Sequence, residues 1–288
     1  MDKYPKFVLD LIEKMLFYDH QKRLTVDEIM LSLEKGEIVQ QKRNLAQNLE
    51  IVEKSSKEII TELVLMWEAW RNNEIKTKVF QSELLKNSKL IESQVLEQKN
   101  EEAFFCMAIQ YDGTIEINGI GIDEKKAFEY MSKASEQENP LALWNLGAYY
   151  LKEVGVKHDS EKGFSYIDKA AKKNNKFGFH WRGLCYEMGV GVEKNLGKAI
   201  KDYEKGKEKG SSYCLYTLAC LYEKGQIKDE SGMKKIELLQ MGIEKNNYNC
   251  MRKLVSYYNK GTFPLKKDQK KEEELTKLAE KCKEEYWI

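Results

Sequence analysis

The sequence predicts an all-α protein, a right-handed α-solenoid of about five helical hairpins with an N-terminal helical extension. Three observations favour this fold. The C-terminal two-thirds of the chain repeats with a period of about 36 residues. Each period contains two stretches in which apolar residues recur at helical spacing, joined by a glycine-bearing turn. No proline lies between Pro5 and Pro140, so nothing in that stretch forbids long helices.

Tyrosines mark the period most clearly. Tyr150, Tyr186, Tyr222 and Tyr258 follow one another at intervals of 36 residues, and Tyr111 precedes Tyr150 by 39. Small residues occupy equivalent positions at Ala142, Gly178, Cys214 and Cys250, and again at Ala134, Ala170, Gly206 and Gly242. Apolar residues recur at Leu143, Phe179, Leu215 and Met251. Because one hairpin cannot bury its apolar face alone, such units are expected to stack into a continuous core.

Each unit is predicted to contain a helix A and a helix B. Small residues such as Gly147 allow the two helices to approach closely, and the repeated tyrosine is expected to fill the groove opposite. An acid or amide precedes each helix B, which suits an N-cap because its side chain accepts a hydrogen bond from a free backbone N–H. These predicted N-caps are Asp123, Asp159, Asn195 and Asp229.

Two segments resemble the Sel-one-like repeat, a relative of the tetratricopeptide repeat: LWNLGAYYLKEVGV with DSEKGFSYIDKAAKKN, and WRGLCYEMGVGVEKNLGKAIKDYEKGKEKG. The resemblance covers five units, 101–139, 140–175, 176–210, 211–246 and 247–283. It implies a non-catalytic adaptor or scaffold that binds a protein or peptide, with the A helices lining a concave binding surface. The last unit departs from the pattern at Val255, and its charged 266–274 stretch suits a terminal cap.

The A-helix positions that vary most between units are the candidate partner-binding residues. They are Trp144, Asn145, His180, Trp181, Tyr216 and Arg252. They lie off the predicted core face, and aromatic residues and arginine are typical of binding hot spots. The alternative interpretation is that Trp144 and Trp181 only seal contacts between neighbouring hairpins.

Residues 36–100 form a separate predicted region without proline. Apolar residues at alternating spacings of 3 and 4 predict one long amphipathic helix from Glu37 to Arg71 and a second over Ile75–Lys99, with a turn at 71–73. One interpretation is an antiparallel helical hairpin packed onto the first repeat. The other is a coiled coil that forms a homodimer.

Residues 1–35 contain DLIEKMLFYDHQKRLTVDEI, which resembles the C-terminal end of a eukaryotic protein-kinase domain. Matching positions include Leu11, Lys14, Asp19, Arg23 and Glu28, while His20 stands where proline is usual. The glycine-rich loop, strand lysine, catalytic aspartate and Asp-Phe-Gly site of a kinase do not occur in this chain. We therefore expect no enzyme activity. The three predicted regions are 1–35, 36–100 and 101–288.

The remaining patterns restrict the function. The net charge of +1 argues against a dedicated nucleic-acid binder, and the lack of an 18-residue apolar run predicts no membrane span. The cysteines form no C-x-x-C pair, and the three histidines have no metal-ligand spacing, so we expect no metal and no cofactor. A reduced, cytoplasmic protein is predicted. The alternatives to an adaptor are a C-terminal regulatory fragment of a serine/threonine kinase and a structural subunit of a large assembly.

Overall fold

The computed structural model describes residues 58–71, 76–96, 100–115, 117 and 119–286, which all belong to one compact unit. Residues 1–35, with the kinase-like segment, and most of the predicted long helix from Glu37 lie outside these residues. The described part contains helices and no strand, which confirms the all-α solenoid. The helices are α1 (58–71), α2 (Thr77–Lys86), α3 (Ser88–Leu96), α4 (Glu101–Tyr111), α5 (Glu124–Ser135), α6 (Pro140–Lys152), α7 (Ser160–Lys172), α8 (Lys176–Met188), α9 (Leu196–Glu208), α10 (Ser212–Glu223), α11 (Met233–Glu244), α12 (Tyr248–Lys260) and α13 (Gln269–Tyr286).

Helices α4 to α13 form five successive hairpins, one for each predicted unit, and α13 continues to Tyr286, past the predicted end of the fifth unit at 283. The A helices are α4, α6, α8, α10 and α12, and the B helices are α5, α7, α9, α11 and α13. The recurring small residues of the A helices are all buried, and so is the apolar residue that follows each of them. The small residues are Ala142, Gly178, Cys214 and Cys250, and the apolar residues are Leu143, Phe179, Leu215 and Met251.

Three of the four predicted N-caps of the B helices are confirmed. The side chains of Asp123, Asp159 and Asn195 accept hydrogen bonds from backbone N–H groups three residues ahead. The prediction for Asp229 is wrong, because a turn containing Gly232 at φ 65° separates it from α11, and Gly232 is the N-cap. Asp229 still accepts a 2.8 Å hydrogen bond from the backbone N–H of Lys234 in the first turn of α11.

Gly147 lies where α6 crosses α7. A Cβ atom there would lie 2.6 Å from Cγ1 of Ile167 and 2.7 Å from the backbone oxygen of Gly163. The two helices therefore touch through backbone at this point, as the predicted role of a small residue requires.

The repeated tyrosine fills a different groove from the predicted one. The Tyr150 ring packs edge-to-face on Phe128 at 5.5 Å, and Tyr186 contacts Phe164 at the same distance. Phe128 and Phe164 belong to the B helix of the preceding unit, so the tyrosine joins neighbouring hairpins. Its backbone oxygen also accepts a hydrogen bond from the capping residue of its own unit, as from Asp159 to Tyr150 and from Asn195 to Tyr186.

The N-terminal extension also differs from the prediction. The expected single helix over Ile75–Lys99 is two helices, α2 and α3, separated at Asn87. The Asn87 side chain donates a 2.8 Å hydrogen bond to the backbone oxygen of Glu83, and the Asn87 backbone N–H donates to the same oxygen. Asparagine ends a helix in this way because its amide competes with the backbone for hydrogen bonds.

Candidate interaction surface of the A helices

One residue from each A helix occupies the same position in its unit. These five residues, which we call the central row, are Phe105, Trp144, His180, Tyr216 and Arg252. Four of them were predicted as partner contacts from their variability. Phe105 precedes Trp144 by 39 residues, the same interval that separates Tyr111 from Tyr150.

Helix α1 packs on the beginning of the central row. The Trp67 ring lies edge-on against Phe105 of α4 at 4.9 Å between centroids, and 5.8 Å from Trp144 of α6. It also lies 6.1 Å from Phe177 of α8. Trp67 is 2% exposed. One side chain of α1 thus contacts three successive A helices, whereas the hairpin interpretation expected packing onto the first repeat.

Arg71, at the end of α1, adds a cation to this aromatic cluster. Its guanidinium carbon lies 5.6 Å from the centroid of Trp144, 5.7 Å from Trp70 and 5.9 Å from Trp67. A cation over the face of an indole ring is attracted by the ring quadrupole. Burial raises the pKa of the Asp112 carboxyl, and the Arg71 charge opposes part of that shift.

Polar contacts at both ends hold the extension in place. The Thr61 hydroxyl donates to the Glu102 carboxylate of α4, and the Lys176 ammonium of α8 lies 3.2 Å from the Glu68 carboxylate. Beyond α1, the Lys76 ammonium lies 2.9 Å from the Glu285 carboxylate of α13. The extension is therefore linked to the first unit by a hydrogen bond and to the third and fifth units by ion pairs.

Two predicted partner contacts, Trp144 and Asn145, require correction. Trp144 is 2% exposed between Trp67, Phe177 and Trp181. Asn145 is 5% exposed, and its side-chain amide donates a 2.8 Å hydrogen bond to the backbone oxygen of Leu141. Both side chains are covered in this structure, Trp144 in part by α1. For Trp144 the alternative, sealing contacts between hairpins, describes the structure.

Trp181 and His180 lie at the edge of the covered region. The centroid of the Trp181 ring is 6.0 Å from that of Trp144, and the Lys152 ammonium lies over the Trp181 ring, 5.1 Å from its centroid. His180 packs against Tyr213 at 5.5 Å between centroids, and its Nε2 lies 3.4 Å from the Thr217 hydroxyl. Burial, with a contribution from the Arg71 charge, lowers the pKa of His180 to about 4, so the ring is neutral at physiological pH.

Tyr216 is half-buried and Arg252 is exposed, and both lie beyond the aromatic cluster around Trp67. Burial is the main reason that the pKa of Tyr216 rises to about 12, so its hydroxyl remains protonated. The Arg252 guanidinium donates a 3.3 Å hydrogen bond to the Tyr248 hydroxyl. Next to it, the Lys253 ammonium pairs with the Glu223 carboxylate at 2.6 Å.

The described residues contain no group of three or more His, Cys, Asp or Glu side chains placed to hold a metal ion. Cys106, Cys185, Cys214, Cys250 and Cys282 are buried, and Cys220 is half-buried. Burial raises the pKa of these thiols, to about 11 for Cys185 and about 12 for Cys214. A protonated, buried thiol is a poor nucleophile and packs as a small apolar residue.

None of the described helices is long and apolar enough to cross a membrane.

The N-caps of the A helices were not among the predicted caps. Four are asparagines, and their side chains accept hydrogen bonds from the first turn of each helix: Asn100, Asn139, Asn175 and Asn247, with Ser211 in the fourth unit. From Asn139 onward they recur at intervals of 36 residues, so the signal was present in the repeat.

Comparison with known proteins identifies the repeat. The model of the Sel1 repeat matches residues 107–139, 140–175 and 180–211. No curated protein matches the chain. Among solved structures, a Sel1 repeat protein from Oxalobacter formigenes is 22% identical to this chain. The match covers 72% of this chain and 77% of that protein, with a TM-score of 0.59. The immunity protein Pa5087 from Pseudomonas aeruginosa is 21% identical over 67% of this chain and 74% of its own, with a TM-score of 0.51. These likenesses show the fold, a Sel1-like solenoid.

Proposed function

We propose that this Sel1-like solenoid is a non-catalytic adaptor that binds a protein partner along the central row of its A helices. The proposal rests on the difference between the two ends of that row. Phe105 and Trp144 already hold a helix of the same chain, while Tyr216 and Arg252 lie beyond the Trp67 cluster with part of their surface exposed. Sel1-repeat proteins generally act as protein-interaction scaffolds.

The half of the row that the described residues leave uncovered has the chemistry of a protein-binding surface. Tyr216 and Arg252 of this half, together with Trp181 next to the row, combine aromatic area with a guanidinium, and residues of these types dominate measured binding hot spots. His180 is neutral and Tyr216 is protonated at physiological pH, so Arg252 supplies the charge of this half of the row. A partner segment with aromatic or aliphatic anchors and a carboxylate opposite Arg252 fits this surface.

The test is an affinity pull-down from native cell extract with the full chain and the Tyr216→Ala/Arg252→Ala variant, read by mass spectrometry. We expect a discrete partner that the variant loses while its far-UV circular dichroism and melting curve are unchanged. Met241→Ala is the matched control, because Met241 is a large exposed side chain, 46% exposed, on the B helix α11. A partner retained by the double variant, or lost equally by the control, would contradict the proposal.

A second candidate function, a regulatory segment of a protein kinase, is favoured by the kinase-like residues 10–29. The matching positions there include Leu11, Asp19, Arg23, Leu24 and Glu28. An antibody against the repeats, followed by peptide mass spectrometry of the endogenous protein, tests this function. Peptides from a kinase catalytic loop in the same polypeptide would support it, and an endogenous polypeptide with the mass of this chain would exclude it.

A further inference from the structure

We propose that α1 is an internal ligand of the A-helix surface, and that the first three units bind an amphipathic partner helix of the same kind after α1 is displaced. The inference rests on the proposed function, because it uses the same central row. It adds the class of partner, a helix with an indole anchor, and the event that must precede binding.

The apolar spacing of α1 is that of a helix bound in a groove. Ile60, Leu63, Val64 and Trp67 are all at most 4% exposed, and they follow the i, i+3, i+4, i+7 pattern of groove-binding helices. The opposite side of α1 remains in solvent, as shown by Leu65 at 59% exposure. Helix α1 therefore contacts the array through one face, as a separate bound helix would.

The surface that receives α1 is built by the repeats. Phe105, Trp144 and Phe177 come from α4, α6 and α8, and each ring lies within 6.1 Å of the Trp67 centroid. They surround one indole, which makes Trp67 the anchor of the contact. A cluster of this size that closes around a single aromatic side chain is the usual centre of a binding interface.

The packing of α1 leaves two polar groups unsatisfied. The indole N–H of Trp144 and the Nε–H of Arg71 are buried, and among the described residues neither has a hydrogen-bond acceptor. A buried donor without an acceptor weakens an interface. Arg71 leaves the surface together with α1, so the Trp144 indole N–H is the donor that remains. A partner helix that places a carboxylate or amide oxygen near this N–H would satisfy it, which α1 does not.

Attachment to the same chain gives α1 its advantage over any separate helix. A covalent connection between a binding element and its target creates a high effective concentration, so a free helix of equal intrinsic affinity competes poorly. A substitution that weakens only α1 should therefore open the surface without altering it. Trp67 and Glu68 meet this condition, because both lie on α1 and their partners lie on the A helices.

The experiment uses a fluorescent synthetic peptide of residues 57–71 and measures its anisotropy with the full chain. We expect negligible binding to the wild-type chain. Binding should strengthen on the order of a hundredfold for Trp67→Ala, which removes the buried anchor of α1. It should strengthen about fivefold for Glu68→Lys, which replaces the ion pair with Lys176 by repulsion. Leu65→Ala is the matched control on the solvent side of α1 and should behave as wild type.

A peptide that itself carries Trp67→Ala should bind none of the chains. Equal peptide binding to the wild-type, Glu68→Lys and Trp67→Ala chains, all shown to be folded by circular dichroism, would overturn the proposal. A wild-type dimer that Glu68→Lys converts to monomer, measured by light scattering, would also overturn it, because the occupant would then be α1 of a second copy. The experiment needs no cellular partner, so its result is independent of the pull-down that tests the adaptor function.

Discussion

The contact at Gly147 allows a quantitative prediction. In Gly147→Ala the new methyl group would lie 2.6 Å from Cγ1 of Ile167 and 2.7 Å from the backbone oxygen of Gly163. The Ile167 side chain is fully buried, and the second contact is backbone, so neither neighbour can rotate away. The helices α6 and α7 must separate, and overpacking of this kind costs about 1–3 kcal/mol.

The opposing term is helix propensity, since alanine in a helix interior is favoured over glycine by roughly 0.8–1 kcal/mol. We therefore expect Gly147→Ala to lower the free energy of unfolding by about 1 kcal/mol, and Gly147→Leu to lower it further. For an array of this size the alanine variant should melt about 2–4 °C below wild type. Urea unfolding, followed by both far-UV circular dichroism and tryptophan fluorescence, measures the change and shows whether the array unfolds in one step.

Gly197→Ala is the matched control. Gly197 lies in α9, and a Cβ there meets only the Asn195 side-chain oxygen at 3.5 Å, an ordinary contact. This variant should be as stable as wild type or slightly more stable, because it gains propensity without a clash. A Gly147→Ala variant as stable as Gly197→Ala would refute the reasoning and the assignment of Gly147 to the helix crossing.

Three further predictions concern caps, ion pairs and pH. Asn175→Ala removes the buried cap of α8 and should lower the free energy of unfolding by about 1 kcal/mol in urea titration, whereas Asn195→Gly should lower it by only a few tenths. Arg182 bridges Asp168 and Asp202 at 2.7–2.8 Å. Asp168 keeps its 2.7 Å pair with Lys172, but Arg182→Ala leaves the buried Asp202 carboxylate without its cation and should cost about 3 kcal/mol by the same method. Burial, and then the Arg71 charge, lower the pKa of His180 to about 4, so the unfolded chain binds more protons between that pH and about 6.5. Stability should therefore fall as pH decreases through this window, and the Tm of His180→Gln should fall less than that of wild type.

The repeat architecture was predictable because its signal is local. The tyrosine and small-residue series set the period, and helical spacing within each period located the five hairpins to within a few residues. Three B-helix caps followed from residue type alone. Asp229 failed because the turn before α11 contains Gly232, and the glycine at φ 65° moved the start of the helix beyond the reach of a normal cap.

The covering of Trp144 was not predictable from the repeat. Periodicity within the array shows which face of an A helix meets its own hairpin, and Trp144 lies off that face. The groups that bury it include Trp67 and Arg71, which precede Trp144 by more than 70 residues and belong to no repeat. The amphipathic spacing of 59–70 indicated a helix with an apolar face, but spacing alone does not identify the surface that a helix covers.

The central claim, that a partner binds along the row of A-helix residues, is tested most directly by site-specific photo-crosslinking in cells. A photoreactive phenylalanine analogue replaces Tyr216 in one chain and Met241 in the other, and crosslinked products are identified by mass spectrometry. We expect a discrete crosslinked protein from position 216 and none from position 241, because Tyr216 lies on the A helix α10 and Met241 is exposed on the B helix α11. A partner captured at position 241 and absent at position 216 would contradict the account and place the binding surface on the B helices.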